Sequence, residues 1–255
     1  MKRIMISLAL IVSISVAQSQ TITVDVSKTK GEIQPTMWGI FFEDINFAAD
    51  GGLYAELVKN RSFEFLAPMM GWKEVASNKF SLNTKSGAVQ IINKDSRYAR
   101  VVVNGSEFQI ENEGFFGMGV KKDAGYIFSV MMKSEEGQVS LKAELIDDKN
   151  NVIGTGTISP DSKDWKKYST NIVSTATFAK AKLRLSFAGQ SITDVDNVSL
   201  VPKDTWHGLR KDLVQLLYDL KPGFVRFPAD VSSRAVICRN DTSGRKQSVR
   251  WMIAS

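Results

Sequence analysis

Residues 37–65 read MWGIFFEDINFAADGGLYAELVKNRSFEF, and this stretch decides the fold. Met37, Trp38, Ile40, Phe41 and Phe42 form a short continuous apolar run, the pattern of a parallel strand buried on both faces. Glu43 and Asp44 end it. In a parallel β/α barrel the chemistry sits at the C-terminal ends of the strands, so an acid directly after such a run is placed to meet a substrate. Glu43 is therefore the first candidate, against the plainer reading of an acidic pair that ends a strand in solvent. Asp50, Gly51 and Gly52 then signal a turn, and Leu53 to Val58 carry a short helical pattern closing on Asn60 to Phe65.

The string GxIxPxMWGxFFEDINxAxDGGLYAELVxNRSFEF, from Gly31 to Phe65, resembles the opening of family 51 glycoside hydrolases, the α-L-arabinofuranosidases, in a subgroup shared by plants and gut bacteria. The resemblance implies that Glu43 hydrogen-bonds hydroxyls of the arabinose ring and is not one of the two catalytic carboxylates. Those enzymes are retaining and use two glutamates from later barrel strands. A retaining mechanism needs its two carboxyls about 5 Å apart. Both family glutamates lie beyond the position of Pro228, so no catalytic residue, cofactor or metal is expected here.

The chain begins with Lys2 and Arg3, an apolar run from Ile4 to Ala17 and a polar Gln18-Ser19-Gln20. That is the form of a secretory signal over residues 1–19, too short to span a membrane. Cys238 is the single cysteine, so no intrachain disulfide forms, and export without disulfides suits a periplasmic or secreted bacterial protein. Thr21 to Val26 alternates as a half-buried strand does, and residues 20–68 are read as this opening strand plus a first barrel β/α unit.

Across residues 69–203 the pattern changes. Val101 to Val103, Tyr126 to Val130, Val139 to Leu145, Lys182 to Phe187 and Val195 to Leu200 are short runs separated by Gly, Asn and Asp turns, as in a β-sandwich. Asn112 to Met118, Trp165 to Tyr168 and Asp194 to Leu200 resemble the galactose-binding-type jelly roll of carbohydrate-binding modules inserted in this subgroup. Such modules stack sugar C–H groups on aromatic faces. Phe115, Phe116 and Trp165 are the candidates for that platform, although a sandwich core also claims aromatics. Asp194 and Asp196 fit either a calcium site or, preferred here, solvated turn acids.

Asp204 and Thr205 are expected to cap a helix on which Leu209, Leu213, Leu216, Leu217 and Leu220 recur, with Pro222-Gly223 as the stop. Phe224 to Pro228 then reads as a second barrel strand, giving a barrel segment over 204–228. The resemblance puts Arg226 at the sugar subsite, where a strand-end ion pair is the alternative. The fold class expected is mixed: a jelly-roll β-sandwich inserted into the first units of an incomplete (β/α)8 barrel.

After Pro228 the family pattern stops abruptly. Read one base earlier, with synonymous choices, Pro228 to Ala235 becomes GGCIVEG and the region to Arg250 can read RYxWKxTIGP, both strings of the family at these places. Residues 229–255 are therefore expected to be an out-of-frame tail. The net charge of +6 shrinks accordingly, because Lys2 and Arg3 supply two units and the tail a net three. Neither nucleic acid nor a membrane surface is an expected partner once the signal is removed; an arabinose-containing plant polysaccharide or oligosaccharide is.

Three functions follow. The first is part of a secreted non-reducing-end arabinofuranosidase acting on arabinan or arabinoxylan, inactive as this chain. The second is a standalone sugar-binding module. The third is a hydrolase using Glu43 and Asp44 as its pair, which strand geometry opposes because adjacent residues point to opposite faces.

Overall fold

A computed structural model describes residues 22–28, 31–34, 36–75, 87–92 and 97–226. The signal segment, Cys238, Pro228 and the tail lie outside them. Residues up to Met37 form one unit and those from Trp38 another. In the first, residues 22–26, the described part of the expected opening strand, form no strand. Asp25 Oδ1 accepts from the Ser27 amide at 3.1 Å and the Ser27 hydroxyl at 2.6 Å, and this local turn ends the extended run.

In the second unit, β1 (Ile40–Phe41) lies parallel to β13 (Val225–Arg226), with Ile40 opposite Val225 and Phe41 opposite Arg226. All the other elements of this unit lie between them in sequence. β1 is not buried on both faces as its apolar run predicts. Trp38 and Phe41 are exposed, because β13 is its only neighbour among the described residues.

The largest of them is a nine-stranded hydrogen-bonded sheet of β2 (Trp72–Val75), β3 (Gly87–Ile92), β4 (Tyr98–Asn104), β5 (Phe108–Asn112), β6 (Met118–Val120), β7 (Gly125–Ile146), β8 (Val152–Ile158), β9 (Lys166–Val173) and β10 (Phe178–Pro202). β7 and β10 pair antiparallel along nearly their whole lengths. The first half of β10 carries β5 and then β2, while the last part of β7 carries β8. The second half of β10 carries β4 and then β3, and the first part of β7 carries β9. One continuous ladder thus folds into two five-stranded layers. Sequence runs that read as four separate strands, around Tyr126, Val139, Lys182 and Val195, are two long strands that bend from layer to layer.

Glycine makes the bend possible. Gly137 on β7 has φ +67° and Gly189 on β10 has φ +125°, and a Cβ on either would fall 2.0 and 2.4 Å from the carbonyl oxygens of Gln190 and Gln138. Bulges at Ile192/Thr193 and Asp196/Ser199 add further twist.

Alternation fills the space between the layers. Tyr126, Phe128, Val130 and Met132 face inward from one end of β7, Leu141, Ala143 and Leu145 from the other, and Leu183, Leu185 and Phe187 from β10. Each large side chain so buried contributes about 1.5–3 kcal/mol. Val58, Phe63 and Trp72 join the same core, with Phe63 and Trp72 ring centroids 5.5 Å apart. Residues ahead of position 69 therefore belong to its packing. Asn60 ties this segment down: its Nδ2 donates to the Pro68 and Met70 carbonyls, and its Oδ1 accepts from the Phe65 amide.

The helical pattern over 53–58 is not realised. The Ala55 amide donates to the Gly208 carbonyl and the Leu57 amide to that of Leu200, so bonds to distant segments displace those of a helix. Glu56 is buried there, accepting from the Val58 and Leu200 amides and the Ser199 hydroxyl. The later helix also starts differently. Thr205–Trp206 (β11) and Leu209–Arg210 (β12) form a small hairpin, and α1 runs Lys211–Leu220 with Arg210 at its N-cap rather than Asp204. Lys221 ends it in the left-handed conformation, just before Pro222.

Candidate functional site

Two places carry the candidate residues. The first is the strand-end pair. The Phe42 amide donates to the Arg226 carbonyl at 2.8 Å and the Ile40 amide to that of Phe224 at 2.9 Å, so β1 and β13 reach their C-terminal ends side by side. The Arg226 guanidinium carbon stands 5.6 Å from the Phe41 ring centre, a cation–π contact. Glu43 follows two residues after Phe41 and is exposed. Arg226 and Glu43 are thus on neighbouring strand ends, and no ion pair within the described residues spends either. Asp44 is used differently: its Oδ1 accepts from the Ala49 amide at 2.9 Å and closes the loop that follows.

The second place is the sandwich, where the three expected platform residues separate. Phe115 is half-buried, its ring 5.2 Å from that of Phe47, which in turn stacks on Phe65. It fastens the loop after β1 to the sandwich. Phe116 beside it is 81% exposed and touches no other ring among the described residues. Trp165, 39% exposed, meets neither; it stands edge-on to Tyr98, with centroids 5.4 Å apart and planes at 78°.

Around that pair lies a charged bracket the sequence did not announce. Tyr98 and Arg100 come from β4, Lys133 from β7 and Asp194 from β10. They share the outward side, because Ala99, Val101, Met132 and Val195 between and beside them point into the core. Arg100 grips Asp194 with Nε to Oδ1 at 2.7 Å and Nη2 to Oδ2 at 2.8 Å. Lys133 adds 3.3 Å to Asp194 and 2.5 Å to Glu135, and Arg100 also reaches Glu135 at 3.1 Å. The Lys133 ammonium lies 5.6 Å from the Trp165 ring centre and 5.9 Å from that of Tyr98.

Asp194 is therefore not a solvated turn acid: its side chain is 0% exposed. Burial by itself raises the carboxyl pKa, but hydrogen bonds from Arg100 and Lys133 outweigh it and hold the group below the usual carboxylate range. The bond to Glu135 raises the Lys133 pKa. Asp196 behaves oppositely, raised by burial without a cation bonded to it. Among the described residues no group of three or more His, Cys, Asp or Glu is arranged to hold a metal. No helix there is long and apolar enough to cross a membrane.

A cleft of about 620 Å³ opens where the layers bend, lined by Ser134, Gln138, Ser140, Asp161 and Lys163 among others. It contains no aromatic ring. His207 sits exposed on the β11–β12 turn with its ring edge-on to Trp206 at 4.8 Å.

Comparison with known proteins adds three findings. Residues 55–194 match the family model of a carbohydrate binding domain. The chain is 34% identical over 248 residues to an extracellular exo-α-L-arabinofuranosidase of Streptomyces chartreusis, covering 89% of this chain and 28% of that protein. It is 30% identical over 236 residues to α-L-arabinofuranosidase 2 of Arabidopsis thaliana, with coverages of 80% and 33%. This chain thus spans about a third of the curated relatives it matches. Among solved structures, an arabinose-bound family 51 α-L-arabinofuranosidase superposes with a TM-score of 0.67 at 22% identity, over 80% of this chain and 36% of that one. The fold is shared; at that identity nothing further follows.

Proposed function

Because this chain belongs to the carbohydrate-binding-domain family, we propose that it is the sugar-binding portion of a secreted, retaining α-L-arabinofuranosidase that trims non-reducing-end arabinofuranosyl groups from arabinan or arabinoxylan. The observation that carries this reading is the parallel pairing of β1 with β13. It sets Glu43 and Arg226, an exposed acceptor and an exposed donor, at adjacent strand ends. A hydroxyl-rich furanose is bound by such mixed donors and acceptors. We read β1, α1 and β13 as two β/α units of a (β/α)8 barrel with the sandwich inserted between them.

On this reading the chain alone does not hydrolyse glycosides. Glu43 and Asp44 are adjacent, and the Asp44 carboxylate is engaged by the Ala49 amide, so the two do not flank one glycosidic bond. The purified chain is expected to release no p-nitrophenol from p-nitrophenyl α-L-arabinofuranoside. Turnover that Glu43→Gln abolishes would sink the assignment and favour a hydrolase built on this pair.

The complete sandwich core supports a second reading, a standalone sugar-binding module. Arabinan binding that survives Glu43→Gln and Arg226→Ala together would favour it.

A further inference from the structure

The sandwich meets the strand-end residues through one ring. The loop from Asp44 to Gly52 follows Glu43, and Phe115, on the turn between β5 and β6, packs against it. We infer that Phe115 is a positioning residue: it holds this loop in the shape that presents Glu43 to a sugar, which makes the sandwich part of the strand-end site. This rests on the reading of Glu43 and Arg226 as sugar-binding groups and adds the residue that keeps Glu43 set.

The loop is strained. Asn46 and Phe47 are consecutive and both left-handed, with φ of 53° and 62°. Asparagine tolerates that region, but a bulky phenylalanine stays there only when its surroundings compel it. The Phe47 ring stacks on Phe65 with centroids 5.9 Å apart, meets Phe115 at 5.2 Å and has the Lys59 ammonium 5.4 Å from its centre. Both strained residues lie inside the loop that Asp44 closes on the Ala49 amide, so a relaxation there is felt at Glu43.

The fit between loop and ring is close. Gly51 has φ +79°, and a Cβ there would fall 2.2 Å from the Phe115 ring, so the loop backbone lies directly against it. The turn that carries Phe115 is held from behind. Asn112, fully buried, accepts at Oδ1 from the Lys59 and Gly114 amides and donates from Nδ2 to the Lys59 carbonyl. The Glu113 carboxylate accepts from the Lys59 ammonium at 3.2 Å, and the same ammonium covers Phe47. A ring fixed by the sandwich thus sets the loop in front of it.

The test is calorimetric titration of the whole chain with arabinotriose. Glu43→Gln is expected to abolish binding, which identifies the site. Phe115→Ala should weaken binding about tenfold, the effect of releasing one strained conformation, with the melting of the sandwich unchanged. Phe115→Leu, which keeps apolar bulk against Gly51, should retain most of the affinity. Gly51→Ala lies outside the sandwich strands and should cause a similar loss by pushing the loop off the ring, which covers the case in which Phe115→Ala melts early. The double variant should bind no more weakly than either single one, because both changes break one contact. Unchanged binding by Phe115→Ala and Gly51→Ala, with Glu43→Gln still abolishing it, overturns the positioning role and leaves the strand-end site intact. Losses that add in the double variant place the two effects in separate contacts and overturn it too. Binding indifferent to Glu43→Gln, or no binding at all, overturns the strand-end reading and this inference with it.

Discussion

Arg100 and Asp194 stand directly opposite each other on antiparallel β4 and β10 and close a two-pronged contact of 2.7 and 2.8 Å over a carboxylate sealed from water. Removing one member of such a pair strands the other's charge, whereas removing both does not. Asp194→Ala should therefore cost about 2–3 kcal/mol, below the 3–5 of a wholly buried pair because the Arg100 side chain is partly exposed and can rehydrate. Arg100→Met with Asp194→Leu should recover most of the loss. Urea unfolding of the three variants measures it, and a double variant no better than the single would contradict the account.

Glu56 joins the segment after β1 to the end of β10. Burial raises its pKa above 4.5, opposed by hydrogen bonds from the Leu200 amide, the Ser199 hydroxyl and the Val58 amide. A raised carboxyl favours the protonated native state, so its contribution is full below 4.5 and is lost as pH rises through the folded value. Glu56→Gln has no charge to bury. Its melting temperature relative to wild type should be more favourable at pH 7 than at pH 4; a difference independent of pH would show that the carboxyl does not titrate there.

Helix α1 buries none of its residues, and Leu216, Tyr218 and Leu220 are more than half exposed. An uncovered apolar stripe of this kind is an association surface. Leu216→Glu with Leu220→Glu is expected to reduce light scattering and dye binding by the chain while leaving the melting of the sandwich unchanged. Unaltered scattering would place the sticky surface elsewhere.

Much of the fold was legible because it rests on local periodicity. Alternating runs such as Tyr126 to Val130 mark the inward residues of β7, and leucine spacing marks α1. What sequence could not give depends on distant partners. Leu53 to Val58 has helical spacing, yet its amides are claimed by Leu200 and Gly208. The site divides in the same way. Glu43 and Arg226 were nameable from their motifs and do share strand ends. Tyr98, Arg100 and Lys133 were missed, since nothing but the register of β4, β10 and β7 brings them beside Trp165. Phe115 was named as a platform ring from the jelly-roll resemblance, but the loop carrying Phe47 packs against it.

The pairing of β1 with β13 has a consequence for the order in which the molecule assembles. Ile40 and Val225 are about 185 residues apart, and closing a free loop of that length costs roughly 4–5 kcal/mol. A two-residue ladder returns about 1 kcal/mol per hydrogen bond, too little to hold its ends together unaided. Folding the sandwich first, with Leu53 bonded to Arg210, shortens the loop to residues 42–52 and 211–224. Glu43 and Arg226 become neighbours only in a chain whose insert has already folded, so a lesion in the sandwich core reaches the strand ends without touching either residue.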